Sequence, residues 1–171
     1  MSALSDDEKS VANEAYAVVG EIVLMASALD ERLNEVIRLV CSLPPSPFME
    51  PIIGTIDSSR KIEILRNYAG HITASEWKIG LRKLCDQVEK VNKARNTACH
   101  SALRFESGSA VLINVSAGKL LKNLHHNKTK ILDLKVAIRI GEEALAYTGV
   151  VVANFAAVEA KLAEKRAKGE I

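Results

Sequence analysis

The chain is 171 residues long, 48% apolar, only 4% aromatic, and carries a net charge of +2. That length suffices for one domain, 1–171, with a sizeable core, and an aliphatic, aromatic-poor composition points to packed helices rather than to a base-stacking platform. No phosphate-cradling GxxxxGK[ST] loop, no GxSxG elbow and no paired-carboxylate metal pattern occurs.

The charge is unevenly spread. Residues 1–57 hold ten Asp and Glu against three Lys and Arg, so the rest of the chain carries +9. An anionic partner for the C-terminal two-thirds is the expectation. The start, MSALSDDEK, is acidic where a secretion signal would be basic and then apolar. The longest near-apolar run, Ala144–Val158, is broken by Thr148, Gly149 and Asn154 and falls short of the ~18 residues a membrane span needs. Cys41, Cys85 and Cys99 form no CxxC pair and are read as buried thiols of a reducing compartment. A cytoplasmic protein with no membrane partner is expected.

In chain order, Ser5-Asp-Asp-Glu8 is a capping box, with acids where the helix dipole favours them. Ala12, Ala15, Val19, Ile22, Ala26, Leu29, Leu33, Val36 and Val40 then alternate by three and four, which predicts one helix over 6–42. Pro44, Pro45, Pro47 and Pro51 end it in an extended loop. A short helix is expected over 57–69, stopped by Gly70, and Thr73-Ala-Ser-Glu76 opens another over 74–99. Ala102–Glu106 and Ala110–Val115 flank Ser107-Gly108-Ser109 as a small β-hairpin. KLLKNLHHNKTK, residues 119–130, is basic and shows no clear period.

The last helix is expected over 133–167, with a seam of Leu134, Ile138, Gly141, Leu145, Thr148, Val152, Phe155, Glu159 and Leu162. Its small residues, among them Gly141, Ala144 and Gly149, suit close helix approach. The fold class expected is all-α: an antiparallel bundle of four main helices with a small β-hairpin before the last.

Two hexapeptides nearly repeat, RNYAGH at 66–71 and RNTACH at 95–100. Nine Arg and four His placed at random would give about 0.2 such Arg-to-His spacings. On its helix Arg66 falls outside the apolar arc of Ile62, Leu65, Tyr68 and Ala69 and can pair with Glu63, while His71 is expected in the loop after Gly70. Arg95 differs. Trp77, Leu81, Leu84, Val88, Val91, Arg95 and Ala98 form one seam, so a guanidinium occupies a position where an apolar side chain is expected. Such a group is always charged and needs a carboxylate, a phosphate or a solvated interface. Asn92, Asn96 and His100 form a polar row beside it, His100 lying ~7.5 Å of rise beyond Arg95. A His at a helix C-terminus is suited to acid or base work near neutral pH.

With its long first helix, short second one and a helix ending in Arg-Asn-three residues-His (VEKVNKARNTACHS), the chain resembles the HEPN superfamily. The resemblance implies a helical bundle that dimerises through the motif region and cleaves RNA without metal or other cofactor. Carried over, Arg95 and His100 match the catalytic pair, and Asn96 the polar residue often beside the Arg. Ala102 stands where some members place a Tyr two residues after the His, so the chain does not resemble that subgroup.

The expected function is therefore a homodimeric, metal-independent endoribonuclease acting through the RNA 2′-OH, with a toxin or defence-effector role and an antitoxin or other partner protein in view. Lys93, Lys119, Lys122, Lys128 and Lys130 are the candidate phosphate-tracking cations. His125 and His126 lack a third ligand at suitable spacing, so no metal site is expected there. Two alternatives stand beside this. One is a catalytically silent HEPN-like module that binds nucleic acid or nucleotide. The other is a helical-bundle interaction protein in which Glu21, Asp30 or Glu35 neutralises Arg95.

Overall fold

The computed structural model describes residues 6–106, 109–117 and 124–168. The chain runs α1 (Asp6–Val40), α2 (Met49–Thr55), α3 (Ser58–His71), α4 (Ser75–Cys99), β1 (Ala102–Glu106), β2 (Ser109–Ala117), β3 (Leu124–Lys130) and α5 (Ile131–Ala167). The protein is predominantly helical, with one small antiparallel sheet in the order β1-β2-β3. Ser5 of the expected first cap, Ser107 and Gly108 of the expected turn, and Lys119 and Lys122 lie outside the described residues.

Three expectations about the elements change. The hairpin is part of a three-stranded sheet, because 124–130, read as aperiodic, pairs with β2. The proline-rich connection contains α2, in which Pro51 is the third residue. There the missing N–H falls in a first turn, whose amides have no helical acceptor in any case. Gly70 does not stop α3, which continues to His71. The start of α3 is fixed by Asp57, whose carboxylate accepts from the backbone N–H groups of Arg60 and Ser59. Those bonds, the one to Arg60 foremost, hold the Asp57 carboxyl below its usual range.

Two compact units make up the chain. One comprises residues up to Ser27 together with Lys90–Gly141, the other Ala28–Glu89 together with the residues from Glu142 on. The boundaries fall inside α1, α4 and α5, so each of these helices contributes a segment to each unit.

In the first unit Ala12, Ala15, Val18, Ile22 and Ala26 of α1 are buried, as are Val91 and Ala98 of α4 and Leu134, Ala137 and Ile138 of α5. Val18 takes the buried place expected for Val19. Gly141 lets α5 approach α1 closely: a Cβ there would lie 2.5 Å from Met25 Cγ. Lys135 of α5 reaches Glu14 of α1 at 2.6 Å and lowers that carboxyl's pKa.

In the second unit the buried set includes Leu29, Leu33, Val36 and Ile37 of α1, Ile62 and Leu65 of α3, Leu84 and Val88 of α4, and Ala144, Thr148 and Val151 of α5. Along α5 the buried line thus passes to Ala144 and Val151, not Leu145 and Val152. A fully buried ammonium crosses this core. Lys61 of α3 is 0% exposed and meets Asp30 of α1 at 2.7 Å, while the Ser58 hydroxyl donates to the other oxygen of the same carboxylate.

α1 also contains an 18-residue window of mean hydropathy 1.3, apolar enough by length and composition to cross a membrane, with 28% of the window buried. Its buried residues are the core seam, and Tyr16 and Leu24 are exposed on the rest of its surface.

Candidate active site

The end of α4 carries the second hexapeptide. Val91 and Ala98 are buried and Arg95, on the line between them, is half-buried. Among the described residues its guanidinium makes no hydrogen bond and no ion pair. The carboxylates that could have neutralised it are otherwise placed. Asp30 holds Lys61 and Ser58, Glu35 holds Arg32 at 3.0 Å, and Glu21 is exposed.

Asn96 is exposed, and its carbonyl accepts the His100 backbone N–H at 3.1 Å, which closes the last turn. His100 follows the helix directly, with its side chain exposed. Ser101, the next residue, has a hydroxyl oxygen enclosed by protein and without a hydrogen-bond partner among the described residues. The sequence reading did not single out Ser101, since a lone Ser after a helix carries no spacing signal. An unpaired guanidinium, an exposed imidazole and an unsatisfied hydroxyl therefore come from seven consecutive residues.

The first hexapeptide is built differently. Arg66 is not paired with Glu63, because Arg60 takes Glu63 at 2.6 Å. Arg66 instead reaches α4, meeting Asp86 at 2.8 Å and Glu89 at 2.5 Å. The hydrogen bonds it donates to Glu89 and Asp86 raise its pKa further, so the guanidinium is doubly neutralised. His71 is the last residue of α3 rather than a loop residue. Both Arg side chains lie near a helix surface, yet of the two Arg95 alone is left without a matching charge among the described residues.

The cations expected to track phosphate divide. Lys93 is exposed on α4 with no partner among the described residues. Lys128 is held by Glu106 at 2.7 Å. Lys130 is exposed, and its backbone N–H donates to Asp133 at 3.0 Å, one half of a capping box at the β3–α5 junction.

The sheet register adds a residue the sequence reading missed. Val111 of β2 lies opposite both Arg104 of β1 and Lys130 of β3, so Arg104 and Lys130 share one face. Alternate positions of β2, Ala110 and Leu112, are buried on the other. Arg104 is exposed and unpaired among the described residues. Only recognition of β3 could have brought it to notice.

The thiols also differ from expectation. Cys85 is buried, and burial pushes its pKa up to about 11, which keeps it inert. Cys41 and Cys99 are exposed. No protein-family model, no curated protein and no solved structure matches this chain.

Proposed function

We propose that this protein is a metal-independent endoribonuclease of the HEPN type, working in the cytoplasm as a homodimer that joins the two α4 ends. The observation that carries the reading is Arg95: a half-buried guanidinium on an apolar seam, with no anion supplied by its own chain among the described residues. A charge so placed calls for a phosphate or for a solvated cleft between two copies.

RNA brings its own nucleophile, the 2′-OH beside the scissile phosphate. His100 of one copy takes the 2′-OH proton as it attacks phosphorus, and His100 of the second copy protonates the departing 5′-oxygen. Arg95 stabilises the charge that grows on the non-bridging oxygens, and Asn96 orients the phosphate. The products are a 2′,3′-cyclic phosphate and a free 5′-OH. A toxin or defence-effector role, with a protein partner that restrains it, follows from the same resemblance.

The reading is tested with matched RNA and DNA oligonucleotides in excess EDTA. Cleavage of RNA alone, leaving a cyclic phosphate, is expected. Cleavage of DNA, or RNA products with 3′-OH ends, would refute the 2′-OH route. Binding without cleavage on a broad RNA panel would leave the silent nucleic-acid-binding module in its place.

A further inference from the structure

The chain has seven aromatic residues, and three of them, Tyr68, Trp77 and Phe155, line one cavity of about 350 Å³ in the unit built from 28–89 and 142–168. Phe155 is the hub: its ring lies 6.0 Å from Trp77, edge to face, and 6.5 Å from Tyr68. Leu81 adds aliphatic wall. Three polar side chains, His71, Thr73 and Asn154, also line the cavity, all exposed and none hydrogen-bonded among the described residues.

The volume lies at the small end of the range of ligand pockets, about 300–1,000 Å³, enough for one ring system and a substituent but not for a helix or strand. No Lys, Arg, Asp or Glu lines the cavity among the described residues, so the part of a ligand held there is uncharged. Aromatic walls favour a flat ring, through stacked or edge-on contact. An imidazole, a hydroxyl and a carboxamide together offer donors and acceptors at the cavity's solvent-facing edge, which a ring with a donor–acceptor edge can meet and a hydrocarbon cannot.

We infer that this cavity binds a planar, neutral heteroaromatic ring with a donor–acceptor edge, the chemistry of a nucleobase, presented either by a free nucleoside or by an unstacked base of single-stranded RNA. The composition of the chain argues against an extended stacking platform, and a single-base pocket needs only the three rings gathered here. The inference is separate from the cleavage chemistry, since it concerns binding alone and uses none of Arg95, Asn96 or His100.

Trp77 is the one Trp in the chain and lines the cavity, so its emission reports occupancy. The full chain is titrated with adenosine, guanosine, cytidine and uridine, with a single-stranded RNA hexamer, and with toluene as a ring without polar edges. Saturable quenching by at least one nucleoside is expected, and quenching by the hexamer alone would assign the ring to RNA. Asn154→Leu, an exposed helical substitution, and His71→Leu should each weaken binding about tenfold or more at unchanged thermal stability. Phe155→Ala should abolish it, read by equilibrium dialysis because the substitution alters the surroundings of Trp77. No response to any nucleoside or to the hexamer would overturn the inference. So would toluene binding as well as the best nucleoside, or full binding by Asn154→Leu and His71→Leu. A protein that cleaves RNA and fails these titrations loses the pocket alone; one that binds nucleosides and never cleaves loses the nuclease alone.

Discussion

Two arginines in near-identical hexapeptides show what a residue's surroundings decide. Arg66 satisfies two carboxylates on its own chain, and Arg95 satisfies none among the described residues. Replacing Arg66 by Gln should therefore leave RNA cleavage within about twofold and cost little stability, since exposed ion pairs are worth about 0–1 kcal/mol. Kinetics and a denaturant melt of that variant check both. Lys61 is the opposite case, a charge that is fully buried. Asp30→Ala would strand the ammonium and should cost about 3–5 kcal/mol in chemical denaturation, whereas the double change Asp30→Leu with Lys61→Met should recover most of it. Recovery that fails would mean the pair contributes more than mutual neutralisation.

Among the elements, the helices were legible because a repeat of three and four survives over many turns: nearly every seam residue of α1 is buried, with a one-residue drift at Val18. α2 was not, because a proline cluster reads as a break even where one proline occupies a first turn. β3 was not, because HHNKTK has no apolar alternation; its pairing is supplied by β2, not by its own pattern. The position of Arg95 on the seam was readable, but its lack of a partner was not, since that depends on where Asp30, Glu35 and Glu21 end up. Losing β3 also hid Arg104, which joins Lys130 only through the sheet register.

Two expectations follow at this scale. Replacing Arg104 and Lys130 by Gln should each lower the salt slope of single-stranded RNA binding by about 0.7, and an unchanged slope would remove the sheet face from the interface. On α5, Gly141→Ala should destabilise, because its Cβ would meet Met25 at 2.5 Å, while Gly149, with nothing within 4 Å, should gain about 1 kcal/mol as Ala. Thermal melts of the two variants should move in opposite directions.

For the whole molecule, the proposal requires a second copy. Cys99 is exposed beside His100, so a pair of α4 ends meeting at a two-fold axis should bring two Cys99 thiols within reach of a short bis-maleimide. In a Cys41→Ser background, where Cys85 is buried, the crosslinked dimer should form at micromolar protein. A chain that stays monomeric by sedimentation and resists crosslinking would remove the shared cleft and, with it, the second His100. The most direct measurement of the central claim is the single-turnover rate of RNA cleavage, in EDTA, by wild type, His100→Ala and Arg95→Ala. Each substitution should lower the rate by at least about 100-fold, the scale of one lost acid–base or charge-stabilising group, while the Arg95 variant stays folded, since an Ala there removes an unmatched charge from an apolar seam. Wild-type rates in the His100→Ala protein would contradict the account.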